Sequence, residues 1–167
     1  MFDRRSILIS GPALALAGSP ATARAVNDPE ANKALIRRFF EEVWSTGDLS
    51  RRDDFLAAEY RGHIAGAATP IDRDGWTAWF RGFRTAFPDA GFTVEDMIAE
   101  GDRVAARLTM RGTHLGSLNG VPATGRAVVV SGMSLERVAD GRIVEGWNEN
   151  DALGLLQQLG VIPPPPA

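Results

Sequence analysis

The stretch Gly141–Gly160, GRIVEGWNENDALGLLQQLG, contains the change of periodicity that decides the fold. After the turn signal Asp140-Gly141, apolar and polar residues alternate, which predicts a strand over Arg142–Asn148. The leucines that follow recur at helical offsets, which predicts a helix over Ala152–Leu159. Asp151 stands between the two patterns. The last strand of the fold is therefore expected to run directly into a short helix.

Three more alternating segments precede this stretch and are separated from each other by turn signals. They predict strands over Phe92–Ala99, Arg103–His114 and Ala127–Val138, which would join the last strand in a curved antiparallel sheet. By strand parity, His114 lies on the same face as the apolar residues of its own strand. One apolar face of the sheet must then be covered by other elements.

The first half of the chain supplies the helices that can cover this face. Asn27-Asp28-Pro29 predicts the start of a long helix that ends at Gly47, and Ser50 predicts the cap of a short second helix. A third helix opens at Asp72 or Asp74 and stops before Pro88. A short extended piece over Tyr60–Ile64 carries His63. Helices followed by an antiparallel sheet predict an α+β fold in which the helices close over the apolar face.

Residues 1–25 have the three parts of a signal peptide, namely a charged start, an apolar run and a small-residue cleavage site at Ala23-Arg24-Ala25. Asp3-Arg4-Arg5-Ser6 is similar to a twin-arginine export signal, although an ordinary secretory signal is the alternative. We expect an exported protein, periplasmic or secreted, without membrane insertion after cleavage. Residues 26–160 would form one α+β domain, followed by a disordered proline-rich tail over 161–167.

Composition excludes several classes of function. The chain of 167 residues has a net charge of −3 and no cysteine. A net acidic chain disfavours binding to nucleic acid, and thiol catalysis and disulfides are excluded. Two histidines, His63 and His114, stand far apart and give no spacing for a zinc site. No phosphate loop, dinucleotide fingerprint or other cofactor motif is present, so no cofactor or metal is indicated.

The stretch Gly141–Gly160 resembles the closing segment of SnoaL-like polyketide cyclases, also called ester cyclases. Other segments resemble the same family in the same order. They are Phe39–Trp44 with Thr46–Asp48, Ala86–Asp89, Ala99–Val104, and Gly112–Gly116 with Pro122–Gly125. The resemblance implies the nuclear transport factor 2-like fold, a cone of bent sheet closed by helices around an apolar cavity, commonly as a homodimer.

The resemblance also implies a type of chemistry, in which a buried acid helped by histidine moves a proton beside a ketone and closes a ring. Asp151 matches the acid of the family and is the candidate general base, with His114 as its partner. Each has an ordinary structural alternative. Asp151 is also placed to cap the last helix, and His114 is equally suited to be a core or loop-tethering histidine.

Other residues are candidates for this protein's own chemistry. Glu149 shares strand parity with Glu145, Trp147 and Asp151, and a dry site would raise its basicity. We expect Glu145 to be structural and paired with arginine. Candidate substrate-binding residues, which could also be ordinary core, are His63, Tyr60, Trp76, Trp79, Phe80, Phe83, Met133 and Trp147. Glu136 occupies a position where the family usually has an aromatic residue, which suggests an altered dimer face.

These observations leave three hypotheses for function. The first is a cofactor-independent cyclase or isomerase that acts on a small apolar carbonyl compound by general acid/base catalysis. The second is an exported protein that binds a small apolar molecule without chemistry. The third is a hydrolase or dehydratase of the same fold that uses Glu149 and Asp151 to activate water.

Overall fold

The computed structural model describes residues 28–163. The predicted signal peptide and residues 164–167 of the tail lie outside this range. The described chain folds into four α-helices and a five-stranded sheet, which confirms the predicted α+β class. The helices are α1 (Pro29–Phe39), α2 (Arg52–Phe55), α3 (Arg73–Ala86) and α4 (Ala152–Gln158). The strands are β1 (Leu56–Ile64), β2 (Gly91–Glu100), β3 (Arg103–Thr113), β4 (Ala127–Ala139) and β5 (Arg142–Asn150).

The strand order in the sheet is β1-β5-β4-β3-β2. Strands β2 to β5 are antiparallel neighbours in chain order, as the turn signals predict. The extended piece Tyr60–Ile64 is the second half of the longer strand β1, which runs parallel to β5. Leu56 belongs to this strand and not to α2, because its side chain is fully buried and it pairs with Ile143. The sheet is therefore mixed at one edge.

The first helix continues beyond its α-helical part into a π-helical turn. α1 begins after Asp28, whose carboxylate accepts a hydrogen bond from the Glu30 N–H at 3.0 Å. After Phe39 the chain forms the π turn Phe40–Trp44, a form of helix often found at functional sites. Both Phe40 and Trp44 are buried by this turn. The π turn thus delivers two large aromatic side chains to the interior.

The caps of the next two helices refine the sequence prediction. Ser50 is not a cap; instead the Asp48 carboxylate accepts a hydrogen bond from the Ser50 N–H at 2.8 Å. Of the two aspartates that could open α3, Asp72 does so, and it accepts from the Gly75 N–H at 2.7 Å. α3 ends before Pro88, as predicted.

An aromatic cluster joins α1, the π turn and α3 to the interior face of the sheet. The Trp44 ring lies 5.3 Å from Phe80 and 5.1 Å from Phe92, both with tilted or edge-on geometry. The Trp76 ring stacks on Phe80 at 5.0 Å. Burying each such ring contributes about 1.5–3 kcal/mol, so this cluster fixes the helices on the sheet.

We expect Trp76→Ala to lower the free energy of unfolding by about 3–5 kcal/mol, because Trp76 is only 1% exposed and its removal leaves a cavity. Trp79→Ala on the same helix is the matched control. Because Trp79 is 37% exposed, this substitution should lower the free energy of unfolding by less than about half as much. Urea denaturation of both variants measures this. Equal losses would contradict the division of α3 into a core face and an exposed face.

Candidate functional site

A cavity of about 500 Å³ lies between α3, the π turn, the sheet and α4. Its wall is mainly apolar, with aromatic residues on the helical side and Leu108, Met110 and Val130 on the sheet. The aromatic residues of the wall are Phe40, Trp44, Trp79, Phe83, Phe87 and Phe92. This volume and composition are typical of a site for one small organic molecule.

Polar groups on the wall are concentrated where β5 ends. Asn148, Glu149 and Asn150, here called the polar rim, line the cavity together. Asn148 is half-buried, whereas Glu149 and Asn150 are exposed. Among the lining residues of the described chain, Glu149 alone has an ionisable side chain. By strand alternation Asn148 and Asn150 share the interior face of β5 with Gly146, whereas Glu149 lies at the edge of the cavity on the alternate side of the strand.

Asp151, the predicted general base, does not line the cavity. Its carboxylate accepts a hydrogen bond from the Gly154 N–H at 2.8 Å and caps α4. The chain turns from β5 into α4 at this residue, so the N–H groups of the helix start hold the side chain. The structure therefore places Asp151 in its alternative role as a cap.

His114, the predicted partner of Asp151, is fully buried behind the cavity wall. Its ring lies 5.2 Å from Phe87, which is itself a wall residue. The Thr124 N–H donates to His114 Nδ1 at 3.3 Å, and the Thr124 hydroxyl lies 3.1 Å from the same atom. Because Nδ1 accepts from a backbone N–H, the neutral ring carries its proton on Nε2. The contacts of His114 are those of a histidine that tethers the loop between β3 and β4.

His63 and Trp147 lie on the other face of the sheet. Gly146 faces the interior, so strand alternation directs Trp147 and Glu145 outward. The His63 and Trp147 rings stack at 4.8 Å. His63 Nε2 lies 3.0 Å from Glu145, whose other oxygen accepts from Arg137 at 3.0 Å. The hydrogen bond with His63 and the Arg137 guanidinium hold the pKa of the Glu145 carboxyl below its ordinary value, so Glu145 is paired with arginine as expected.

The predicted aromatic residues of α3 divide between the cavity and the core. Trp79 and Phe83 line the cavity, as does Met133 of β4. Trp76 and Phe80 each stand three positions before one of these cavity residues and are buried in the core. Tyr60 is buried as well, 2% exposed, and does not line the cavity. Helical spacing predicts all four aromatic residues on one side of α3. Only the packing against α1 separates the core pair from the cavity pair.

Glu136 lies in the interior, and the prediction that it marks an altered dimer face is wrong. It is 2% exposed and faces the interior, so it cannot mark a dimer face. Its Oε2 atom and the Oγ atom of Ser134 have no hydrogen-bond partner among the described residues. Burial raises the pKa of the Glu136 carboxyl well above its ordinary value, and the neighbouring Ser134 hydroxyl offsets part of the shift. Glu136 has the same even-numbered strand parity as the buried valines Val128, Val130 and Val138. This parity is the sequence feature that could have predicted its burial.

Tyr60 and Glu136 lie close together in this interior. A Cβ atom placed on Gly146 would be 2.9 Å from the Tyr60 hydroxyl and would overlap Glu136 Oε2. Burial raises the pKa of the Tyr60 hydroxyl, and a negative charge on Glu136 would raise it further. Burial therefore favours the neutral O–H form of both groups.

A curved sheet closed by helices around one apolar cavity, with a few polar groups at its rim, defines a class of proteins that enclose single small molecules. Within this class, residues 34–159 match the family model of the SnoaL-like polyketide cyclases. The chain belongs to this family.

Relatives and solved structures agree with this assignment. The aklanonic acid methyl ester cyclase DnrD of Streptomyces peucetius is 33% identical over 129 residues, which cover 75% of this chain and 88% of DnrD. The structure of IdmH, a proposed polyketide cyclase from Streptomyces antibioticus, is 37% identical with a TM-score of 0.70 and covers 77% of this chain and 98% of its own. AclR of Streptomyces galilaeus, a proposed hydroxylase, is 29% identical with a TM-score of 0.74 and covers 83% of this chain and 87% of its own.

Two further findings concern the described residues only. Between residues 28 and 163, no group of three or more histidine and acidic side chains is arranged to hold a metal ion. No helix in the same range has both the length and the apolar character needed to cross a bilayer.

We expect Asp151→Ala to lower the free energy of unfolding by about 1 kcal/mol, because the Gly154 N–H loses its acceptor. Asp151→Asn should lose much less, since asparagine is also a good cap. Thermal and urea denaturation compare the two variants. If alanine and asparagine give the same stability as the original chain, the carboxylate does not act as a cap.

We expect Glu136→Gln to stabilise the protein, relative to the original chain, more at neutral pH than at acidic pH. An unfolded glutamate loses its proton near pH 4.5, whereas the folded chain keeps the proton on Glu136. The free energy of unfolding of the original chain therefore falls as pH rises above about 4.5, and glutamine removes this loss. The stability difference between variant and original should grow by more than about 1 kcal/mol between pH 4 and pH 8.

The exposed Glu149→Gln is the matched control for this measurement. Its stability difference from the original chain should stay nearly constant over the same pH range. A constant difference for Glu136→Gln as well would mean that Glu136 is ionised in the folded protein.

Proposed function

We propose that this protein is a cyclase that closes a ring in a small, largely apolar carbonyl compound, without a cofactor, with Glu149 as general base. One observation carries the proposal: the rim of an aromatic cavity has two amides, Asn148 and Asn150, and between them in the chain stands Glu149, the one acidic residue of the lining within residues 28–163. Membership of the polyketide cyclase family supports it, and so do the cyclase names of the curated relatives.

The rim has the groups that such a reaction needs. Glu149 would take a proton from the carbon beside a carbonyl group, which leaves an enolate. Amide N–H groups of Asn148 and Asn150 can donate to the oxygen that gains charge. The enolate carbon then attacks a second carbonyl carbon of the same molecule, and the new alkoxide takes a proton back. The reaction moves protons and electron pairs within one substrate, so acid/base groups suffice for it.

The choice of base differs from the sequence-based hypothesis. Asp151 is committed to the start of α4 and His114 to the loop after β3, so their contacts do not support the pair as catalytic groups. Glu149 was the candidate expected to be specific to this protein, and it lines the cavity. The capping role of Asp151 also removes support for a hydrolase or dehydratase that would use Glu149 and Asp151 together.

We expect Glu149→Gln to reduce the rate of ring closure by about 10²–10⁴-fold, because glutamine cannot accept the proton. Asp151→Asn is the matched control and should keep nearly the original rate, since asparagine preserves the cap. The assay separates linear β-dicarbonyl esters from their ring-closed isomers by liquid chromatography, because the two have the same mass. Full activity of Glu149→Gln, or loss of activity in Asp151→Asn alone, would rule out Glu149 as the base.

A second candidate function is binding without chemistry. The observation that favours it is that two of the three rim residues are amides, which bind oxygen groups but do not transfer protons at neutral pH. Native mass spectrometry of the protein purified from its own host finds the retained molecule, and chromatography of the released molecule separates the two functions. A retained molecule that is released unchanged after long incubation supports binding, whereas its conversion supports the cyclase.

Export and assembly stay predictions from the sequence. We propose that residues 1–25 direct the chain out of the cytoplasm and that the mature protein forms a homodimer. Fractionation of the host cell and light scattering of the purified mature chain test these two proposals directly.

A further inference from the structure

Three polar side chains form a group in the interior, away from the wall of the open cavity. Tyr60, Ser134 and Glu136, here called the inner polar cluster, are each only 2% exposed. Glu136 Oε2 and Ser134 Oγ have no partner within residues 28–163. Buried polar atoms without partners are rare because each costs free energy, and they often mark a place where a ligand or water binds.

The surrounding sequence leaves room for these groups. Strands β1 and β5 pair Gly62 with Gly146 at this place. A Cβ atom on Gly62 would be 3.0 Å from the Tyr60 hydroxyl, and one on Gly146 would overlap Glu136 Oε2. Two glycines on neighbouring strands therefore keep this part of the interior open for the Tyr60 hydroxyl and the Glu136 carboxyl, which converge above Gly146.

The inner polar cluster is continuous with the cavity wall along the interior face of the sheet. Asn148 lines the cavity and pairs with Ser134 in the register of β4 and β5. Residues directly opposite each other in an antiparallel pair share a face. Glu136 is the next inward residue of β4 after Ser134. Polar groups thus run from the rim at Asn148, past Ser134, to Glu136 and Tyr60.

The cluster reduces stability, which argues for a role other than packing. An apolar side chain at position 136 would satisfy the core, whereas a buried carboxyl with one unpartnered oxygen costs free energy. Burial raises the pKa of this carboxyl and so favours its protonated form. A neutral carboxylic acid and a phenol are both O–H donors, and such a pair can stabilise an oxygen that gains negative charge.

We propose that Tyr60 and Glu136 form a second hydrogen-bond-donor site, reached from the cavity past Ser134, that takes the oxygen of a second carbonyl group at the inner end of the ligand. The ligand class rests on the proposed function, since attack of the enolate carbon turns the oxygen of the second carbonyl group into an alkoxide. The site itself rests on the geometry of the cluster. In this arrangement the rim holds the reacting carbon beside Glu149, and the cluster holds an oxygen at the opposite end of the molecule.

The test uses 4-nitrophenol as the probe, because its phenolate is a small oxyanion that accepts hydrogen bonds, as the alkoxide formed by ring closure does. Tyr60 is the only tyrosine of the chain, so protein labelled with ¹³C at tyrosine Cζ gives a single resonance. We expect the probe to shift this resonance as it binds. Loss of one hydrogen bond to a charged group should raise the dissociation constant by about tenfold or more in Tyr60→Phe and in Glu136→Leu.

Two variants make the result interpretable. Glu136→Gln keeps an N–H donor in nearly the same volume and should weaken binding less than Glu136→Leu. Thr109→Val removes a hydroxyl from the outward side of β3 and should leave the dissociation constant within about twofold. Thermal melting establishes that each variant is folded.

The proposal is overturned if the probe binds while the Tyr60 resonance stays in place. It is equally overturned if Tyr60→Phe and Glu136→Leu bind as the original chain does, or if no binding occurs up to the solubility of the probe. Glu149→Gln separates this outcome from the fate of the proposed function. That variant should lose ring closure and still bind the phenol, so either idea can fail without the other.

Discussion

The packing of the Trp44 ring is the interaction on which the rest of the structure depends. It touches the core on one side, where Trp76 lies at 5.8 Å and Phe80 at 5.3 Å. On the other side it meets Trp79 at 5.9 Å and Phe83 at 6.3 Å, which line the cavity. A single indole thus separates the packed core from the open space. The π turn Phe40–Trp44 carries this ring.

The start of α4 sets a second constraint, which gives Asp151 a structural role and leaves Glu149 as the acid at the edge of the cavity. β5 runs straight into this helix, so the first residue after the strand must supply an acceptor for free N–H groups. Asp151 does this, and its carboxylate is directed at Gly154. The residues just before the turn are still in the strand and reach the cavity. The turn of the chain from β5 into α4 therefore has two effects. It lets Asp151 stabilise the start of the helix, and it leaves Glu149 exposed at the rim.

The interior of this protein combines a stable aromatic half with a polar half that costs stability. Around Trp76 and Phe80 the side chains are apolar and fully buried. Around Glu136 the sheet carries a carboxyl, a hydroxyl and a phenol over two glycines. A core selected for stability alone would fill this space with one large apolar residue. The contrast explains why we look for the ligand's second anchor there and not among the aromatic residues.

The sequence by itself determined the class of fold, because the fold depends on local periodicity. Alternation over residues 92–148 and helical spacing in the first half specify the strands, the helices and most of their ends.

What only the tertiary structure decided is the direction of individual side chains and the pairing of β1 with β5. Asp151 could cap or face the cavity, and Trp76 and Trp79 could each belong to the core or the wall. Their outcomes depend on neighbours distant in sequence, such as the ring of Trp44. Parity cannot tell which face of a sheet is closed, so His63 and Trp147 were expected inside and Glu136 outside. The reverse arrangement arises because the helices cover the face that carries Glu136.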